Sequence, residues 1–189
     1  MMPGGAMDRA HSIVGDHKAG RPDDDFYATP PEAVDALLSR ELWSGVIWEP
    51  ACGDGAISKR LEQLEYQVYS SDFNDHGYGQ VGVDFLDCAN TPYRFMITNP
   101  PYNITTEWIE RAHDLRFDKF ALLLKLSALE GDKRSRLMER TRLSRVWVFR
   151  KRLTLWRNGK SLTENKGMIA FAWFVWDRSH VGDPSIGWI

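Results

Sequence analysis

The tetrapeptide Asn99-Pro100-Pro101-Tyr102 restricts its own chemistry more narrowly than any other stretch of this sequence. Two prolines cannot continue a strand ladder, and they stiffen the backbone. Placed after the apolar run Phe95-Met96-Ile97-Thr98, they make a fixed corner. Asn99 offers a side-chain carbonyl acceptor there, and Pro100 a backbone acceptor. Two acceptors converging on one NH2 group hold both its hydrogens. That draws the nitrogen out of conjugation with an attached aromatic ring and aims its lone pair at an electrophile. Tyr102 adds a flat face on which a planar ring can stack. The scheme needs no strong base. The plainer alternative is a strand-terminating turn with a packed tyrosine.

A second chemical segment lies upstream. Glu49-Pro50-Ala51-Cys52-Gly53-Asp54-Gly55 joins an expected strand to an expected helix. Small residues from 51 to 55 let the backbone turn tightly and let a ligand lie against it. Two glycines do not make a dinucleotide fingerprint, and the Lys-Ser/Thr of a phosphate loop is missing. A cofactor without phosphate fits better, with the Glu49 carboxylate near its amine. Asp72 ends the next strand, 19 residues past Gly53, where a carboxylate can accept from both hydroxyls of a ribose. Asp84 could accept from an adenine amine while Phe85 packs on the ring. An ordinary strand–helix turn, and loop aspartates that only cap turns, would leave the same pattern.

The elements that must position these residues alternate. Helical stretches are expected at Pro31 to Leu42 (with Thr29 as a cap), Ala56 to Leu64, Thr105 to Leu115 and Asp132 to Thr141. Strands are expected at 46–48, 67–71, 80–83, 94–98, 119–125, 145–149 and 169–176. This order predicts one α/β domain over residues 26–189: three layers, with a mostly parallel seven-stranded sheet and an antiparallel last hairpin. In such sheets ligands sit at the carboxyl ends of the strands, where both segments fall. Residues 1–25, rich in Gly, Asp, Lys and Pro, read as a mobile arm. The aromatics of the run 169–176 read as core.

Together these segments resemble the class I N6-adenine DNA methyltransferases, particularly small phage or prophage-type members with a Rossmann-like fold. Their tetrapeptide (Asp/Asn)-Pro-Pro-(Tyr/Phe/Trp) stands here at 99–102. Their Glu-Pro-x-small-Gly-x-Gly motif stands at 49–55, with Cys52 where alanine is more usual. Phe26-Tyr27-Ala28-Thr29-Pro30 resembles the upstream segment that covers the methionine end of the cofactor, in the gamma-type motif order. The resemblance implies S-adenosyl-L-methionine as cofactor. It implies contacts to it at Phe26, Thr29, Glu49, Gly53, Asp72 and Asp84, with Ala51, Phe73, Phe85 and Asn99 beside them. It implies base contacts and catalysis at Asn99, Pro100 and Tyr102. The match is carried by residues 26–102; beyond them only the strand pattern agrees.

Adenine N6 is buried in a duplex, so such an enzyme flips the base or takes it from a single strand. The formal charge of the chain is only −2, but Lys133 to Lys166 carries twelve Lys and Arg against Glu139 and Glu164. A basic third in a near-neutral protein suggests a surface facing a polyanion, although a solvated helix face and basic loop would look the same. Arg150, Lys151, Arg152, Trp156, Arg157, Lys160 and Lys166 are the expected nucleic-acid contacts, on a hairpin loop near the tetrapeptide. DNA is the expected partner ahead of RNA. An RNA adenine, a protein glutamine amide, or a non-catalytic nucleic-acid module on the same fold are the competing readings. Two cysteines form no disulfide framework, no His/Cys spacing suggests a metal, and no apolar run spans a bilayer, so a cytoplasmic enzyme is expected. The sequence leaves no room for a separate target-recognition domain, so short, loose or partner-supplied specificity is expected. Target sequence and oligomeric state are left open.

Overall fold

The computed structural model describes residues 27–153, 155–157, 160–161 and 169–189, with only the backbone of 156–157 and 160–161. In chain order the elements are β1 (Tyr27–Ala28), α1 (Pro31–Leu38), β2 (Ile47–Glu49), α2 (Ala56–Gln63), β3 (Val68–Asp72), β4 (Gln80–Val81) and β5 (Phe95–Thr98). They continue with α3 (Thr105–Asp114), β6 (Lys119–Lys125), α4 (Asp132–Thr141), β7 (Arg145–Val148), β8 (Trp156–Arg157), β9 (Lys160–Ser161), β10 (Phe171–Asp177) and β11 (Ser185–Trp188).

The main sheet has the order β11-β7-β10-β6-β5-β2-β3-β4. β10 runs antiparallel to both its neighbours, and every other pairing in the sheet is parallel. This is the expected α/β architecture, mostly parallel and closed by an antiparallel pair. The sheet has eight strands rather than seven. The extra one, β11, is an edge strand whose Ile186 and Trp188 stay exposed, so no buried apolar run announces it.

β6 shows why the middle of the sheet is legible. Phe120, Leu122 and Leu124 pack on the face covered by α3 and α4, while Ala121 and Leu123 pack on the face of α1 and α2. A strand covered on both sides must be apolar at every position, and this one is buried from 120 to 124. Its neighbour β10 pins both helical layers. Trp173 Nε1 donates to the Ala33 carbonyl of α1 at 2.7 Å, and Trp176 Nε1 donates to Thr141 Oγ1 of α4 at 3.0 Å.

At the amino ends of the parallel strands lies a buried charge network. Glu41 accepts from Arg145 Nε at 2.5 Å, Lys119 Nζ at 3.1 Å and Trp147 Nε1 at 2.9 Å. Arg145 also bonds Asp177 at 2.7 Å. Each buried charge thus has an opposite partner and further hydrogen bonds, the condition under which burial is tolerated. No helix among the described residues is long and apolar enough to cross a membrane. None of their His, Cys, Asp and Glu side chains form a group of three or more that could hold a metal ion.

Candidate active site

A cleft partly open to solvent lies at the carboxyl ends of β2, β3 and β5. It brings together Thr29, Glu49, Ala51, Asp72, Phe73, Asp84, Phe85, Asn99, Pro100 and Tyr102 from the residues singled out in the sequence. Gly53 stands behind the wall, where its N–H donates to Asp72 Oδ2 at 2.9 Å. Phe26 and Lys166 lie outside the described residues. Trp156, Arg157 and Lys160 are described only as backbone of β8 and β9. Arg150, Lys151 and Arg152 are exposed and do not line the cleft.

The lining has three carboxylates, Glu49, Asp72 and Asp84, and no described Lys or Arg. Such a wall repels phosphate and suits a ligand offering hydroxyl and amine donors. Asp72 is oriented by two backbone N–H groups, Gly53 on Oδ2 and Asn74 on Oδ1, each at 2.9 Å. Each oxygen keeps a lone pair for a further donor. Asp84 accepts from the Leu86 N–H at 3.0 Å, capping the turn Phe85–Asp87. Glu49 is almost fully buried and accepts from the Ser58 hydroxyl, which also bonds Ser70 Oγ at 2.6 Å. Burial first, then the Asp72 and Asp54 carboxylates, hold its pKa well above the usual range. Burial, followed by Glu49 and Asp72, pushes the Cys52 thiol up to about 12 and leaves it inert.

The glycine turn works differently from the sequence reading at one point. Gly55 has φ +82°, and a Cβ there would meet the Tyr78 ring at 2.5 Å. The absent side chain makes room for the protein's own Tyr78 rather than for a ligand.

The Pro-Pro corner holds Asn99 as expected, but its amide is anchored by a segment far away in sequence. Asn99 Nδ2 donates to the Tyr27 carbonyl and to Thr29 Oγ1, each at 3.1 Å. Asn99 Oδ1 is buried and accepts no hydrogen bond from the described residues. Thr29 therefore does not cap α1 as the sequence suggested; Pro30 takes that place, with no side-chain cap bond. The Tyr102 ring packs against Tyr27 and Phe171, centroids 5.9 and 5.7 Å away, and Lys125 Nζ lies 4.9 Å over it. Stacking a ligand on the Lys125 side requires that side chain to swing away.

Sequence reasoning missed four features. Trp108 lines the cleft and stacks on Phe85 at 4.3 Å. Val83 and Ile104 complete the apolar wall. Lys125 ends β6 beside the tetrapeptide. β1 pairs with β8, Tyr27 opposite Arg157 and Ala28 opposite Trp156, tying the strand that holds Asn99 to the basic hairpin. The 3.6-residue spacing of Trp108, Ile109 and Ala112 on α3 marks a core face, and only its position after the tetrapeptide hints at the cleft.

No family model matches the sequence, and no curated protein matches it. Solved structures do share the fold. A modification subunit assigned to a type I restriction enzyme of Vibrio vulnificus superposes with a TM-score of 0.58 at 14% identity, over 90% of this chain and 48% of that one. The chain thus spans about half the length of that subunit. A dimethyladenosine transferase of Plasmodium falciparum gives 0.52 at 16% identity, over 78% of this chain and 61% of that one. A TehB-like S-adenosylmethionine-dependent methyltransferase of Corynebacterium glutamicum gives 0.50 at 13% identity, over 78% of this chain and 87% of that one. At such identities the likeness is one of fold.

Proposed function

We propose that this chain methylates an exocyclic base amine, the N6 of adenine in DNA, using S-adenosylmethionine. One observation carries the reading: the buried Asn99 Oδ1 faces no described donor, beside a cleft walled by carboxylates. A buried acceptor left open costs about 1–3 kcal/mol, which an NH2 donor from a ligand would recover. The fold neighbours, one S-adenosylmethionine-dependent and one a dimethyladenosine transferase, support the same class of chemistry.

The residues present suit the cofactor. Asp72 would accept from its ribose hydroxyls and Asp84 from its adenine amine. Phe85, Val83 and Trp108 would pack on the ring, and Glu49, Ala51 and Thr29 would face the methionine end. Bound there, S-adenosylmethionine supplies an electrophilic methyl carbon on a sulfonium. Asn99 Oδ1 and the Pro100 carbonyl hold the two hydrogens of the substrate amine and turn its lone pair toward that carbon. Tyr102 supports the base from beside the corner. The proton lost from nitrogen leaves to solvent. From the basic segment, Arg150, Lys151, Arg152, Arg157, Lys160 and Lys166 grip the backbone, and Trp156 stacks or wedges, while Arg145 is held by Glu41 and Asp177 at the other end of the sheet.

Methyl transfer from labelled cofactor to DNA, RNA and protein in parallel tests this, with nucleoside mass spectrometry identifying the product. N6-methyladenine in DNA is the expected outcome. Label in RNA alone or in a glutamine amide alone moves the substrate, and no label in any of the three sinks the assignment.

A further inference from the structure

The two ends of an asparagine amide are nearly isosteric, so a catalytic asparagine can face its substrate with either oxygen or NH2. Here the surroundings choose. Nδ2 meets two acceptors, the Tyr27 carbonyl and the Thr29 hydroxyl. Turned over, Oδ1 would stand against the Tyr27 carbonyl oxygen, acceptor against acceptor, and that buried hydrogen bond would be lost, with only the Thr29 hydroxyl able to turn round and donate.

The Tyr27 carbonyl sets the choice, and Thr29 is well placed to hold the amide in it. Thr29 is 3% exposed, so water cannot readily replace its hydroxyl. The following Pro30 restricts its backbone to extended conformations, and its β-branched side chain is stiff at χ1.

We propose that Thr29 is a positioning residue whose hydroxyl, with the Tyr27 carbonyl, locks the Asn99 amide with Oδ1 toward the cleft. The lock makes an amide obligatory at position 99, because a carboxylate has no N–H to give and would set a charged oxygen against the Tyr27 carbonyl. This inference rests on the amine-methylation reading and adds the device that orients its acceptor.

Three variants test it in the full chain: Thr29→Val, Thr29→Ser and Asn99→Asp. Thr29→Val should lower kcat about 10- to 100-fold, the scale of a small misplacement in a reacting site, with a smaller change in the dissociation constant for S-adenosylmethionine. Thr29→Ser should restore most of kcat, and Asn99→Asp should be as poor as Thr29→Val or worse. Parental kcat in Thr29→Val overturns the proposal. So does a Thr29→Ser as impaired as Thr29→Val, or weaker cofactor binding with kcat unchanged. Should Thr29→Val not fold, Thr29→Ala is held to the same outcomes. A parent protein that methylates no amine refutes the functional reading but not the lock. NMR then decides the lock by itself, through slow exchange of the Asn99 side-chain NH2 protons in the parent and fast exchange in the Thr29 variant. Equal exchange in both overturns it.

Discussion

The two ends of the central sheet treat buried polar groups in opposite ways. At the amino end, Glu41 is 3% exposed and still meets Arg145, Lys119 and Trp147, while Asp177 meets Arg145 and lies 3.4 Å from Lys119. At the carboxyl end, Glu49 is equally buried but is met by the Ser58 hydroxyl and backbone N–H, with no described cation hydrogen-bonded or ion-paired to it. Asn99 nearby keeps one face of its amide open. The first end pairs its charges and serves rigidity, although Trp43 Nε1 beside Lys119 is left without a partner. The second holds polar capacity in reserve for a ligand, at a cost the paired charges help to offset. Charges are matched where rigidity is served, and an acceptor is left open where chemistry is expected.

The contrast extends to pH. Burial pushes the Glu41 pKa upward, but Arg145, Trp147 and Lys119 outweigh it and hold the carboxyl below its ordinary 4.5. Burial acts likewise on Asp177 and is outweighed by Ser179 and Arg145, leaving it below 3.8. A lowered carboxyl stabilises the fold above its ordinary pKa, and that contribution is lost as pH falls. Glu49 is raised, so its contribution is complete below pH 4.5 and is lost as pH rises toward its folded value. The amino end keeps its full contribution at neutral pH, and the carboxyl end is the part that neutral pH weakens.

Four experiments would break or sharpen this contrast. Asn99→Ala should abolish methyl transfer, a loss of at least about 100-fold by analogy with removing one preorganised polar group. Calorimetry should find cofactor affinity within a few-fold of the parent, and full activity would remove Asn99 from the chemistry. Glu41→Ala should cost about 1.5–3 kcal/mol in denaturant unfolding, because it leaves Arg145 and Lys119 sharing Asp177 alone and Trp147 Nε1 without its acceptor. A loss under about 1 kcal/mol would mean the amino end is not the anchor. Glu49→Gln should gain thermal stability relative to the parent as pH rises from 5 to 8, over a window set by its raised pKa. A constant difference across that range would show that Glu49 titrates normally. Smallest of all, Cys52→Ala should leave stability and methylation close to the parent's. The native thiol, with its pKa pushed up to about 12, should resist alkylation at pH 8.

The legible parts of the sequence are those whose cause is local. β6 and α4 have the bounds their patterns dictate, since a doubly covered strand must be apolar throughout and an amphipathic helix must repeat Leu137, Met138 and Thr141 on one face. The cleft is legible through turns and prolines, which act on their own backbone. The rest depends on partners far apart in the chain. Asn99 is oriented by residues 70 and 72 positions away, and Arg145 reaches Glu41 across 104. No periodicity encodes such pairings. β11 escaped for another reason: at an edge, neither alternation nor burial is required of a strand.

The reversal of β10 has a consequence for how this architecture can grow. Because β7 leaves the sheet at the carboxyl end and β10 re-enters there, with Phe171 opposite Lys125, both ends of the connection between them lie on the side of the sheet that carries the cleft. Extra chain grafted into that connection would arrive on that side without disturbing a single ladder of the sheet. The scaffold and its reach can therefore be altered independently, and a longer connection is the natural place to widen what the cleft can read.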